Sequence, residues 1–352
     1  MQSVHTIYQR ISACLAVFNN ILLIILIIYK SHKKVGKYKF LMIYISTFEI
    51  FYAFVDAFGA PTIFTKGSIF LVVTYSDPVF LPDYFLKSFV EMYCVFYGIS
   101  MAIFAIHFIY RYLIVSENKF ATKYESQVIF GLLTFPLMFG VFWLWLVRTF
   151  ISPFPEADQY FIKNHLDKNG INITDVKYAG VYFWPIEKDG ESHLHWRSSI
   201  GIMIMTNAIV ISFALILVFG FKCYCKTKQM IQSAPESTSF TKLQTQLFYA
   251  LVFQTAIPVI LMHIPASIAF SASFFNISNE YLGDWCSITI CLYPTLDPLP
   301  NFFIIKNYRE AILNAFQTFL RKILQCKGAK VGVQTATESE MVSTSHSAAP
   351  TN

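Results

Sequence analysis

Seven stretches of the chain, 11–29, 40–64, 88–110, 127–147, 198–221, 243–274 and 285–305, are apolar for long enough to cross a bilayer as helices, since about 30 Å of hydrocarbon takes roughly 20 residues at the helical rise. The runs are continuous and lack the alternation of a barrel strand. Backbone groups in lipid must be satisfied within their own segment, so helices are the reading. The first, fourth and fifth runs contain no Asp, Glu, Lys or Arg. The sixth is over-long and carries Pro258 and Pro265, which predicts a kinked helix that runs past the bilayer. The expected fold is an all-α membrane protein, a seven-transmembrane helix bundle.

Composition agrees with the pattern: 55% of the 352 residues are hydrophobic and 14% charged, against roughly 25% charged in a soluble domain. The few charges set an orientation. Loops taken alternately put 18 Lys/Arg and six acids on one face, and nine Lys/Arg and twelve acids on the other. Basic residues near span ends resist translocation, so the amino terminus is expected outside and the carboxyl terminus in the cytoplasm. The net charge of +6 then belongs to a cytoplasmic rim and not to a nucleic-acid surface. Neither a basic n-region nor a small-residue cleavage site accompanies the first run, which is expected to serve as its own insertion signal. The sequons Asn172-Ile173-Thr174 and Asn276-Ile277-Ser278 both fall in loops assigned outside by charge, making Asn172 and Asn276 candidate glycosylation sites. The seven cysteines do not read as a disulfide framework. Three of them, Cys223, Cys225 and Cys326, lie on the reducing face, and Cys326 is a candidate for palmitoylation.

Three acids, Glu49, Asp56 and Asp297, stand inside spans. An ionisable group facing lipid costs a few kcal/mol or more, so all three are expected to face the bundle interior. Glu49 and Asp56 are seven residues apart, hence on one helix face. With Asn20 and Asn301 they predict a polar core in the inner half of the bundle; satisfied anchors between helices are the alternative. In "PTLDPLPNFFIIKNYR" (294–309) the prolines remove backbone donors beside Asp297, which predicts either a two-state element or a static kink. Beyond it, Tyr308, Ile312, Phe316, Phe319, Leu320 and Ile323 recur at helical spacing, opposite Arg309, Asn314, Gln317 and Arg321. That pattern predicts an amphipathic helix over 306–325 lying on membrane lipids. Residues 1–326 read as one membrane domain, and 327–352 as a disordered Ser/Thr-rich tail. The chain has no H-E-x-x-H, no G-x-S-x-G and no zinc-ligand cluster, so neither catalysis nor a cofactor or metal is expected.

Two fragments carry a family resemblance. At the inner end of the third span, "HFIYRYLIVS" resembles the Asp/Glu-Arg-Tyr signature of G-protein-coupled receptors, with Tyr110 in the acid's place before Arg111 and Tyr112. Asp297-Pro298-Leu299-Pro300-Asn301 resembles their Asn/Asp-Pro-x-x-Tyr signature, with Asn301 where the tyrosine stands. Together with "GKYKFLMIYISTFEIFYAFVDAFGAP" (36–61) and "PTLDPLPNFFIIKNYREAI" (294–312), these make the chain similar, over nearly its whole length, to the nematode seven-transmembrane chemoreceptors of the Str type, serpentine receptor class r. The resemblance implies a receptor for environmental chemicals in the plasma membrane of a sensory-neuron cilium. It implies coupling to a heterotrimeric G protein through Tyr110, Arg111, Tyr112, Asp297, Pro298, Asn301 and Tyr308. It also implies that a polar core at Asn20, Glu49 and Asp56 holds water or a sodium ion and rearranges on activation. Arg111 lacks the adjacent acid that locks it in many receptors, and a snorkelling topology anchor is its alternative role. Phosphorylation of the tail would recruit an arrestin. The competing classes are a seven-span ligand-gated channel, whose inverted topology opposes the charge count, and a small-solute transporter, which no internal repeat supports.

By the receptor plan the ligand is a small, mostly apolar odorant held among the outer halves of the third, fifth, sixth and seventh spans. There Glu91, Cys94, Tyr97, Met203, Asn207, His263 and Tyr293 are the candidates. The outer loop 151–196 far exceeds the roughly 12 to 15 residues usual for an unstructured loop. It contains no cysteine, so the receptors' disulfide from third span to loop cannot form. A lid packed down by Tyr178, Tyr182, Phe183 and Trp184 is expected instead.

Overall fold

The computed structural model describes residues 2–76, 82–186, 191–233 and 239–322. Five long helices come first: α1 (Gln2–Lys30), α2 (Tyr38–Gly59), α3 (Asp83–Val115), α4 (Glu125–Phe150) and α5 (Trp196–Ser233). They are followed by α6 (Thr241–Phe274) and α7 (Glu280–Ile304), and α8 (Lys306–Lys322) leaves α7 at 96°. Helices α1 to α6 are each long and apolar enough to cross a membrane, and α7 qualifies together with α8. The expected seven-helix bundle is thus the observed one. Cys326, Ile323 and the tail 327–352 lie outside the described residues.

These helices carry apolar residues outward. Along α1, Ile7, Ile11, Leu15, Phe18, Ile21, Ile25 and Ile28 are all exposed, at the three- and four-residue spacing of a single helix face. Ser12 and Asn20 are buried among the helices. In water such a stripe would drive association; in hydrocarbon it is the surface that meets the solvent. Leu137, Met138, Val141 and Trp145 make the same outward face on α4.

Proline decides where α6 and α7 depart from regular geometry. Pro258 has no N–H to donate one turn back, and α6 absorbs the fault in a π-turn, Val259–His263, before resuming as Ile264–Phe274. Helix α7 breaks at Asp297 and Pro298, between Leu296 and Leu299. Pro298 cannot serve the carbonyl of Pro294, four residues earlier, and Asn20 of α1 donates to it instead at 3.1 Å. Asn19 donates to the Thr295 carbonyl at 2.9 Å and Ser12 to that of Cys291 at 2.8 Å. The proline break is therefore a kink clamped by three side chains of α1.

The second span ends sooner than its apolar run suggests. Helix α2 stops at Gly59, Ala60 turns the chain with φ of 39°, and Thr62–Lys66 forms β1. β1 pairs antiparallel with β2 (Ile69–Tyr75), and β2 with β3 (Val176–Tyr182) from the long 151–196 loop. The sheet roofs one rim of the bundle. A loop helix, Pro155–Phe161, covers its other face, where Phe64, Ile69, Leu71, Phe161, Leu166 and Tyr178 form a small core of their own. Strands buried on both faces read as unbroken apolar runs, which is why 40–64 looks like one helix. As expected of a lid, Tyr178, Tyr182 and Phe183 are buried, and Trp184 Nε1 donates to the Phe274 carbonyl at 2.7 Å.

Candidate functional site

Beneath the sheet lies a cavity of about 400 Å³, within the range of roughly 300 to 1,000 Å³ typical of small-molecule sites. Its walls come from α3 (Tyr93, Cys94, Tyr97), α5 (Met203, Thr206) and α6 (Ser267, Phe270), and its roof from Phe70, Val72 and Val181 of the sheet. Among the described residues no Asp, Glu, Lys, Arg or His lines it. Trp143, another lining residue, is buried with its indole N–H unpartnered. Gly180 lets β3 close over β2: a Cβ there would stand 2.2 Å from the Phe70 carbonyl oxygen.

Three of the seven sequence candidates, Cys94, Tyr97 and Met203, line this cavity. The other four are used elsewhere. Glu91 is buried because Arg148 of α4 grips its Oε2 at 2.7 and 3.0 Å. Asn207 is exposed and donates to the Met203 carbonyl of its own helix at 2.8 Å. One layer below the cavity, His263 packs 4.8 Å from the Tyr97 ring, its Nε2 3.3 Å from Ser100 Oγ. Tyr293 meets Tyr52 edge-on at 5.8 Å, and Tyr52 packs on the lining residue Tyr93 at 5.7 Å. Sequence reading expected a lid from the 151–196 loop but missed its β1–β2 hairpin, although Lys66-Gly67 between two β-branched and aromatic runs is a turn signal, and Gly67 has φ of 59°.

A buried polar chain continues from there toward the opposite rim. The Tyr293 hydroxyl donates to Glu49 Oε1 at 3.5 Å. Glu49 Oε2 and Asp297 Oδ1 are both buried with no hydrogen-bond partner among the described residues. Gln254 of α6 donates to Asp297 Oδ2, and Asn301 donates to Gln254 Oε1 at 3.2 Å. Asn20 turns its amide nitrogen to the α7 kink. The polar core expected in the inner half is therefore corrected in two respects. Glu49 stands at the middle of α2, and Asp56 lies in its last turn at the sheet-bearing rim, bonded to Gln9 at 3.4 Å. Gln9 and Gln254, both buried, are members the sequence did not single out. Among the described residues no group of three or more His, Cys, Asp or Glu is placed to hold a metal ion.

At the opposite rim Arg111 is buried. Its guanidinium donates to Gln244 Oε1 and to the Gln244 carbonyl, both at 2.6 Å, and lies over the Tyr38 ring at 5.2 Å. These contacts tie α3 to α6 without an acid. Tyr110 stacks on Tyr38 at 5.9 Å and donates to Glu125 Oε1 at 3.1 Å, and Glu125 pairs with Lys37 at 3.3 Å. Tyr112 packs on Phe219 of α5. The Tyr308 hydroxyl is 2.6 Å from Ser31 Oγ, joining α8 to the end of α1. Asn172 and Asn276 are exposed on the sheet-bearing rim. All six described cysteines are free.

The family model for serpentine-type seven-transmembrane chemoreceptors, Str, matches residues 5–313. G-protein coupled receptor str-217 of Caenorhabditis elegans is 33% identical over 306 residues, 86% of this chain and 87% of that protein. Serpentine receptor class r-10 of the same nematode is 28% identical over 80% of this chain and 82% of its own length. Squid rhodopsin shares the fold at a TM-score of 0.61 and 14% identity, covering 91% of this chain and 87% of its own. With its apolar helices the chain is a multi-pass membrane protein, and it belongs to the Str family of seven-transmembrane serpentine chemoreceptors.

Proposed function

We propose that this receptor binds a small, uncharged, mostly apolar odorant in the cavity beneath the sheet and in response activates a heterotrimeric G protein at the Arg111 rim. The lysine and arginine tally supports an extracellular sheet and a cytoplasmic Arg111; a sensory-neuron cilium as the location and an arrestin as a further partner belong to the same proposal, by analogy with the family. The observation that carries the reading is the span of α6. Its Ser267 and Phe270 wall the cavity, its Gln254 holds Asp297, and its Gln244 holds Arg111. A ligand that displaces the outer half of this one helix is felt at the other end, because packed elements shift between discrete arrangements. Tyr97 on His263, and Tyr93 on Tyr52 with Tyr52 in turn on Tyr293, supply the contacts by which it does so.

The test is a volatile-chemical panel applied to cells expressing the receptor with a promiscuous G protein. An agonist should give a G-protein-dependent signal without current through the protein, and Phe270→Ala should weaken it at unchanged surface density. A current that persists with the G protein removed would favour a channel.

A further inference from the structure

We infer that the cavity is entered from the bilayer, through a portal between the outer halves of α5 and α6, by an uncharged molecule that has first partitioned into lipid. The inference rests on reading the cavity as the ligand site.

Among the described residues the roof is stitched to the bundle on three sides, leaving the side at the end of α6, where the exposed Phe274 and Phe275 also line the cavity. β1 is held to α7 by Ile63 N–H donating to Ser287 Oγ at 2.7 Å. β2 is held to α6 by Ser273 Oγ donating to the Ile69 carbonyl at 3.1 Å. β3 is held to the end of α4 by Gly180 N–H donating to the Ile151 carbonyl at 2.9 Å. The turn between β1 and β2 exchanges two further bonds with Ser278, at 2.9 and 2.7 Å. Phe70 of the roof stacks on Phe270 of α6 at 3.9 Å. Opening the roof to water would break backbone bonds on three sides at once.

The side facing lipid is different. The outer half of α6 and α5 barely touch, and the residues that line the cavity there also look outward. Met203 is 58% exposed, and Thr206, Ser267 and Ser271 are exposed as well. A residue that both lines a cavity and faces outward marks an opening. The three hydroxyls supply a second, independent observation. Several hydroxyls on these helices bond their own backbone one turn back, as Ser212 does to Ala208 at 3.0 Å and Thr255 to Leu251 at 2.8 Å, while Ser273 reaches the sheet and Thr227 has no partner among the described residues. Among the described residues, those of Thr206, Ser267 and Ser271 bond to nothing. A hydroxyl unpaired against hydrocarbon is costly, and three together fit a path on which a visiting molecule supplies the partner. With no ionic side chain on the lining among the described residues, the described path offers nothing to compensate a charged ligand leaving water.

The experiment uses the full chain in liposomes preloaded with an uncharged medium-chain alkyl diazirine, irradiated briefly and mapped by peptide mass spectrometry. Label is expected on Phe70, Val72 and Val181, which are buried and reachable only through the cavity, as well as on lipid-facing Ile11, Leu15 and Phe18 of α1. Plugging the portal with Met203→Trp and Ser267→Trp, both at exposed positions the fold tolerates, should cut sheet labelling about tenfold while α1 labelling stays constant as the internal control. Thr206→Trp alone should act in the same direction. Sheet labelling that is absent in the unmodified chain, undiminished by the plugs, or equally strong with a quaternary-ammonium diazirine supplied in water would overturn the inference. Because labelling needs no G protein, a receptor that signals normally yet fails this test retains its function and loses only the route. One that labels as expected but never signals does the reverse.

Discussion

Gln244→Ala tests whether the α3–α6 tie is a restraint on activity. Arg111 makes two short bonds to this residue, one to the side-chain oxygen and one to the backbone carbonyl. The substitution removes only the first. A hydrogen bond to a charged group contributes about 1.5–3 kcal/mol, and each 1.4 kcal/mol is tenfold in an equilibrium constant. If the bond exists only in the resting arrangement, its loss shifts the resting-to-active ratio by about 10- to 100-fold toward the active state. The guanidinium keeps the Tyr38 ring and the Gln244 carbonyl, so the lower end of that range is expected. The assay is agonist-free nucleotide exchange by a G protein with receptor reconstituted in nanodiscs, normalised to folded receptor. Gln244→Glu should move the other way: an ion pair replaces a neutral acceptor, and basal exchange falls below the unmodified level. Equal basal exchange in all three proteins would refute the restraint, and Arg111 would revert to a packing and topology role.

Three further outcomes follow from individual contacts. Asn20→Ala strands the Pro294 carbonyl inside the bundle. An unsatisfied buried group costs about 1–3 kcal/mol, so the melting temperature in detergent should fall, whereas Asn20→Asp, which has no amide donor to offer, should not restore it. Gly98→Ala puts a methyl 2.3 Å from the Trp143 ring at the α3–α4 seam. Overpacking of about 1–3 kcal/mol is expected, together with a loss of agonist potency because Trp143 lines the cavity; thermal melts and dose–response curves would show both. On the outer side of the sheet, His165 stacks on Phe161 at 5.4 Å with its Nε2 3.0 Å from the Tyr75 hydroxyl, and burial lowers its pKa below the ordinary 6.5. The folded lid thus binds protons less readily than the open one. Its stability is complete above pH 6.5 and declines as pH falls below that value. The protection of β2 and β3 amides, taken relative to unfolded-chain exchange at each pH, should fall between pH 7 and 5, and His165→Phe should remove that dependence.

The helices were legible because lipid imposes one simple requirement, an apolar run of sufficient length, and each run from Ile11 onward meets it. The sheet was not, because its strands meet protein on both faces and their side chains are as apolar as those of a span. Only Lys66-Gly67 betrayed the turn, and the composition around it outweighed that signal. Acids inside spans were legible by type, since cost alone assigns Glu49, Asp56 and Asp297 to the interior, but their partners were not. Asp56 and Glu49 share a helix face yet lie two turns apart, and depth along the helix axis, not the face, separates them into different networks. The partners that matter most are uncharged amides: Gln9 on Asp56, Asn20 on the Pro294 carbonyl, Gln254 on Asp297, Gln244 on Arg111. An amide in a span is less conspicuous than a charge because burying it costs less, and the same property suits it to a receptor. It holds a charged or broken backbone group in place with a bond strong enough to define the resting state, without adding a second charge whose exposure to hydrocarbon would forbid the helix from moving away. The α7 kink and the contact of Arg111 with α6 are both held in this manner, so on the proposed mechanism the described contacts that would separate on activation are hydrogen bonds to amides.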